Sequence, residues 1–156
     1  MENNNFENIK KSAESFYGKI GKVNCPALKE LVYFNSEGFN HLLYKNKSVR
    51  TQKEQALKLK FLAIGKEIIE LSTTYQEYDE SLKEIQVKQF KRKVMKTVMI
   101  KYWGLVAIIR GCRVKVIVRQ IGEGKKHFWS VMPTWGYDHY RDTKFVIKSK
   151  GNLDED

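Results

Sequence analysis

The chain has 156 residues and a formal net charge of +11, with a pI near 9.6. Hydrophobic residues make up 42% and charged residues 30%, which excludes a disordered polyelectrolyte and allows one domain with a proper core. No apolar run reaches the roughly 20 residues of a membrane span, and Met1-Glu-Asn-Asn-Asn5 has neither the basic stretch nor the apolar run of a signal peptide. Cys25 and Cys112 show no disulfide or metal spacing and fit a reducing compartment. A cytoplasmic protein with no membrane partner is therefore expected, and the positive field favours an acidic macromolecule. The charge is concentrated: Lys83 to Arg119 contains eleven basic residues against the single acid Glu84.

The first half reads as helices. Phe6, Ile9, Ala13 and Phe16 recur at helical spacing, so residues 5–17 form an amphipathic helix that Gly18 and Gly21 end. Val23 to Leu28 is extended, with Pro26 barring a central strand position, and Leu31-Val-Tyr-Phe34 is a short strand. Ser36 can cap a short helix holding Phe39, Leu42 and Leu43, with His41 and Lys45 one turn apart on another face. Thr51-x-x-Glu54 is a capping box, and Ala56, Leu59, Ala63, Ile64 and Ile68 continue a helix from about 52 to 71.

The second half reads as strands. Thr73 to Asp79 is extended. Segment 82–96 fits a strand or a helix, and the strand is preferred. Thr97 to Ile109 is rich in β-branched and aromatic residues, and Arg110-Gly111 can turn it into the next strand. In Arg113 to Arg119, Val114, Val116 and Val118 alternate with Arg113, Lys115 and Arg119, the period of a half-buried strand. Gly122-Glu-Gly-Lys125 supplies a turn, with Gly124 suited to positive φ, and Lys126 to Met132 returns. With Glu123-Gly124 as the loop, Ile121 faces Lys126, Arg119 faces Phe128 and Ile117 faces Ser130. Val116, Val118, Trp129 and Val131 then share one face; Lys115, Arg119, Lys126, Phe128 and Ser130 share the other. A loop one residue different would turn Ser130 over. Lys144 to Ile147 is a last strand, and the acidic end, 151–156, is expected to fray. The sum is one α+β domain over 1–150, with a helical part over 1–72 packed on an antiparallel sheet of four to five strands over 73–148.

The motifs narrow the chemistry. His41, His127 and His139 are the only histidines, and no metal-ligand, Walker or serine-hydrolase spacing is present. No metal and no cofactor are expected. What fits is phosphoryl chemistry on RNA, whose 2′-OH is its own nucleophile. Such a site needs a proton acceptor and donor and cations for the pentacovalent phosphate. Arg119 suits a phosphate, Ser130 can donate to one of its oxygens, and Phe128 or Trp129 can stack a base. His41, beside Asn40 and Lys45, is the preferred imidazole; in this register His127 points away from Ser130. The competing reading is plain surface: a wet sheet face and a surface histidine.

Gly38-Phe-Asn-His-Leu-Leu43, Lys45, Arg50, Glu54-Gln55, Thr74-Tyr-Gln-Glu-Tyr78, Val114 to Gly122 and Lys126-His-Phe-Trp-Ser-Val131 resemble the phage and mobile-element branch of the barnase–EndoU–colicin–RelE-like superfamily of small, basic, metal-independent ribonuclease toxins. The resemblance spans roughly residues 35–135. It implies helices followed by an antiparallel sheet, and a catalytic set of His41, Arg119 and Ser130. Lys45, Arg50, Lys115, Lys126, His127 and Phe128 would then be RNA or phosphate contacts. It implies RNA, transfer RNA among the candidates, as substrate, cut to a 2′,3′-cyclic phosphate, and an acidic antitoxin or immunity protein as partner. The alternatives are a non-catalytic nucleic-acid-binding module and a structural protein of a phage or mobile element.

Overall fold

The computed structural model describes residues 2–45, 48–138, 143–146 and 153–156. Helix α1 (Glu2–Ile20) ends at Gly21, whose φ of 67° suits glycine. Strands β1 (Lys22–Cys25) and β2 (Glu30–Tyr33) form a hairpin. Helix α2 (Ser36–Leu43) follows; its cap is Asn35 rather than Ser36, the Asn35 side chain accepting from the Gly38 N–H. A short hairpin, β3 (Tyr44–Lys45) and β4 (Ser48–Val49), leads to α3 (Gln52–Lys60), where Thr51 accepts from the Glu54 N–H as the capping box requires. The expected helix to residue 71 is broken at Phe61 and resumes as α4 (Leu62–Leu71).

The strands β5 (Glu77–Gln89), β6 (Arg92–Ile109), β7 (Cys112–Ile121) and β8 (His127–Asp138) form an antiparallel meander, and β9 (Thr143–Val146) pairs with β8. Segment 82–96, expected as a strand, is a hairpin: β5 and β6 meet at a turn at Phe90-Lys91, and no helix forms there. The α+β class holds, but the sheet is larger than expected and mixed. Its order is β1-β2-β8-β7-β6-β5, with β9 also on β8. The mixed character comes from β2, which lies parallel to β8 and meets it at Tyr33 and His127. His139, Ile147 and residues 151–152 lie outside the described residues.

One face of the sheet packs on the helices. Val114, Val116, Val118, Leu105, Phe128 and Val131 join Leu42, Leu59, Leu62, Ile68 and Ile69 in the main core. The opposite face carries a smaller cluster, Ile100, Tyr102, Ile117 and Leu153. The link between the two is the edge of β8. Between its contacts with β2 and β9, residues 128–134 pair, among the described residues, on one side only, with β7. Helices α2 and α3 close that open side. A Cβ on Gly38 would lie 2.1 Å from the Phe128 carbonyl oxygen, so glycine lets α2 touch the strand backbone.

β5 and β6 pair from Glu77–Gly104 to Gln89–Arg92, while β7 reaches only as far as Ile100 on β6. The remainder projects as a two-stranded arm. Phe90 and Lys91, at its tip, take φ of 50° and 64°, and Phe90 is 92% exposed.

Candidate functional site

The pairing of the central strands decides which side chains meet. Ile117 faces Ser130 as expected, but Arg119 faces His127 and Val118 faces Phe128. A register shift between Ile117 and Val118 accounts for the difference: Trp129 is an extra residue, a β-bulge. The connection Gly122–Lys126 is also longer than a two-residue loop, and Gly122, not Gly124, has positive φ. The bulge exchanges the expected roles of two rings. Phe128 turns into the helix-side core with no exposure, so it cannot contact RNA. Trp129 turns to the other face and joins Arg119 and Ser130.

Rows across the sheet then build the site. Glu77, Gly104, Ile117 and Ser130 are successive register partners, as are Asp79, Tyr102, Arg119 and His127. Facing partners share a side of the sheet, so Ser130, Lys115 and Arg119 lie on one side. From the β8 edge, α2 brings His41, the link between β4 and α3 brings Arg50, and α3 brings Lys58.

His41 is buried and stacks on Trp129, ring centroids 3.9 Å apart. The Arg119 guanidinium lies 3.5 Å from the Trp129 ring centroid. It also bonds Glu37, one turn before His41 on α2, at 2.5 Å. Arg50 is buried; its Nε donates to the His41 carbonyl at 2.9 Å, and its Nη1 to Glu54 at 2.7 Å. Glu37, His41, Arg119 and Trp129 border an open cleft of about 420 Å³, lined also by Asn40, Tyr44, Lys83, Tyr102 and Asp154.

Both nearby imidazoles are neutral. Arg50 Nη2 lies 3.1 Å from His41 Nε2; arginine can only donate, so that nitrogen accepts and the proton sits on Nδ1. Burial, then the charges of Arg50, Lys58, Arg119 and Lys45, push the His41 pKa down to about 2. Arg119 Nε donates to His127 Nε2 at 2.9 Å, and burial with that guanidinium lowers the His127 pKa to about 4. His127 therefore stands inside the site, contrary to its expected outward direction. His41 is where expected, but its Nε2 lone pair is occupied and its basicity is too low for general acid–base work at neutral pH.

Sequence reasoning missed Lys58. Its Nζ donates to Ser130 Oγ at 2.9 Å and to the Val131 carbonyl at 3.4 Å. Burial, then the Arg50 charge, lowers its pKa to about 7, against the raising influence of Glu54 and Asp156. A lysine on a mixed helical face gives no local signal; only its partner on β8 singles it out. Lys115 is 1% exposed and pairs with Glu77 at 3.2 Å and Asp156 at 2.8 Å. Lys45 pairs with Glu155 at 3.7 Å. Lys126 stands apart: it pairs with Glu30 at 2.7 Å and lies over Trp103, towards the main core. Of the expected set, His41, Arg119, Ser130, Lys45, Arg50, Lys115 and His127 converge; Lys126 and Phe128 do not.

The acidic end is not frayed where it is described. Leu153 and Asp156 are buried, and Asp154, Glu155 and Asp156 lie among the cations just named. Among the described residues, no three His, Cys, Asp or Glu side chains group as a metal site would need. No described helix is long and apolar enough to cross a membrane. Compared with protein-family models, curated proteins and solved structures, the chain finds no significant match.

Proposed function

We propose that this protein is a metal-independent endoribonuclease of the kind the superfamily resemblance implies. The observation that carries the reading is that Lys45, Arg50, Lys58 and Lys115 all reach the acidic pair Glu155-Asp156, with Lys58 also on Ser130 and Arg119 on the neighbouring Trp129. That is the composition for holding a phosphodiester and the charge that develops on it. Arg119, held by Trp129, Glu37 and His127, offers a phosphate oxygen its fixed positive charge. Ser130 donates to another. Lys58, bonded to Ser130 and with a pKa near the operating pH, takes the 2′-OH proton in its neutral form as that oxygen attacks phosphorus and the bond to the 5′-oxygen breaks, and then gives the proton to the departing 5′-oxygen. His41 becomes the neutral ring that sets Trp129 and Arg50. Trp129 is already engaged by His41 and Arg119, so the exposed Tyr44 at the cleft is the ring on which a base would stack.

The projecting β5–β6 arm supports an RNA substrate. Lys88, Lys91, Arg92, Lys93 and Lys96 are all exposed on it, a strip that would follow a phosphate backbone. An acidic antitoxin or immunity protein would meet the same cations.

A second reading, a binding module without cleavage, is favoured by one feature: both imidazoles have their Nε2 positions filled by arginines. Incubation with transfer RNA in excess EDTA separates the two. Cleavage with 2′,3′-cyclic phosphate ends is expected. Intact RNA that is nevertheless bound would establish the module, and cleavage only with added metal would refute the proposed chemistry.

A further inference from the structure

The cations of the site have partners within the chain. Lys83 meets Asp154 at 3.3 Å, Lys45 meets Glu155 at 3.7 Å, and Lys115 meets Asp156 at 2.8 Å. Main-chain oxygens complete the set. The Asp154 carbonyl accepts from Trp129 Nε1 at 3.3 Å, and the Glu155 carbonyl from Arg50 Nη2 at 3.1 Å. The Asp156 main-chain oxygen accepts from Lys58 at 2.5 Å and Ser130 at 2.9 Å. Three successive residues thus each place an acid on a different lysine and an oxygen on a different site donor. Leu153 anchors them in the apolar cluster of Ile100, Tyr102 and Ile117.

We infer that Leu153–Asp156 is a built-in competitor that occupies the track where an RNA backbone would bind, so that the site is held closed until the segment leaves. The inference rests on the reading of this face as an RNA site and adds its regulation. Asp156 and Ser130 are buried together, so a phosphate cannot reach the Ser130 hydroxyl while Asp156 is seated. With the segment seated, no described buried side-chain nitrogen or oxygen lacks a partner. Once it leaves, Lys58 and Ser130 lose bonds that an anion would restore. The holding force is divided between a hydrophobic anchor and salt-sensitive ion pairs, which suits a reversible plug.

The test is Leu153→Asp in the full chain. It unseats the anchor while adding a negative charge. A released plug predicts tighter binding of a single-stranded RNA oligonucleotide, about 10- to 100-fold if the open form is roughly 1–10% of the parent population. A segment that acts only through its charge predicts weaker binding, and that result would overturn the inference. Acylation of Lys58, read by mass spectrometry, gives a signal independent of RNA and rises when Asp156 departs. Asp154→Asn with Glu155→Gln and Asp156→Asn, which keeps the Leu153 anchor, serves if Leu153→Asp fails to fold; tighter binding and a steeper salt dependence are expected, because the freed cations then release counterions to RNA. Equal RNA affinity in parent and variants ends the plug but leaves the RNA reading intact. Raised Lys58 labelling with no RNA bound by any form ends the RNA reading and, with it, competition for RNA.

Discussion

Gly38→Ala is the sharpest probe of how the site is assembled. Alanine favours an isolated helix by about 1 kcal/mol over glycine, so a loosely packed α2 would be stabilised. Here the added Cβ would fall 2.1 Å from the Phe128 carbonyl oxygen and 2.8 Å from the Tyr17 hydroxyl. Ordinary carbon contacts lie near 3.5 Å, so α2 must withdraw by roughly 1 Å. The nearest obstacle is strand backbone, and Tyr17 is itself fixed by donating to the Asn35 carbonyl at 2.6 Å; neither yields easily. Overpacking of this kind costs about 1–3 kcal/mol, more than the helical gain at the upper end. Set against the helical gain this leaves a net loss of about 0–2 kcal/mol, and at about 2–4 °C per kcal/mol for a chain of this size Tm should drop by up to about 8 °C. The same withdrawal lifts His41 from Trp129 and Glu37 from Arg119. A misplacement of about 1 Å can cost about 10²-fold in rate. Thermal unfolding by circular dichroism and single-turnover RNA cleavage report the two effects. A variant as stable and as active as the parent would refute the close approach of α2 to β8.

Four further outcomes are expected. Arg119→Ala should weaken RNA binding and reduce the slope of log K against log salt by about 1; an unchanged slope would remove Arg119 from the phosphate contacts. His41 and His127 have folded pKa values of about 2 and about 4, below the free imidazole value of 6.5. Between these limits the unfolded chain binds more protons, so their stabilising contribution is whole above pH 6.5 and is lost as pH falls from there, down to about 4 for His127 and about 2 for His41. Tm should decline across that window, less steeply in His127→Gln, and a flat profile would contradict the buried neutral rings. Lys58→Met takes the donor away from Ser130, the Val131 carbonyl and the Asp156 main-chain oxygen and should cost about 1–3 kcal/mol of stability while impairing cleavage; cleavage at the parental rate would exclude Lys58 from the proton transfer. Lys91→Glu with Arg92→Glu and Lys93→Glu at the arm tip should raise the Kd for RNA without changing the saturated cleavage rate, and unchanged binding would exclude the arm as an RNA contact.

Much of the scaffold was legible in the sequence because it rests on local rules. The capping box at Thr51, the alternation of Val114, Val116 and Val118, and the turn at Arg110-Gly111 each have a short-range cause, and each stands as expected. What failed depends on pairing. The period-two pattern identifies a strand but does not announce a bulge, so it puts Phe128 and Trp129 on each other's faces. The break at Phe61 has no glycine or proline to mark it. Lys58 is surrounded in sequence by other helix formers and gains meaning only from Ser130, 72 residues away. Asp154-Glu155-Asp156 looks like a solvated acidic end, and its partners are lysines scattered from Lys45 to Lys115. His41 was placed by its motif, but its protonation is set by Arg50, nine residues on.

The most direct measurement compares single-turnover cleavage, in excess EDTA, of one RNA oligonucleotide and its 2′-deoxy counterpart. Ribonucleotide substrate should be cut to a 2′,3′-cyclic phosphate and a 5′-OH, faster in Leu153→Asp than in the parent, with the deoxy substrate bound but intact. Equal cleavage of both substrates, or cleavage of neither by any variant, would contradict the proposed use of the 2′-OH at Lys58, Arg119 and Ser130.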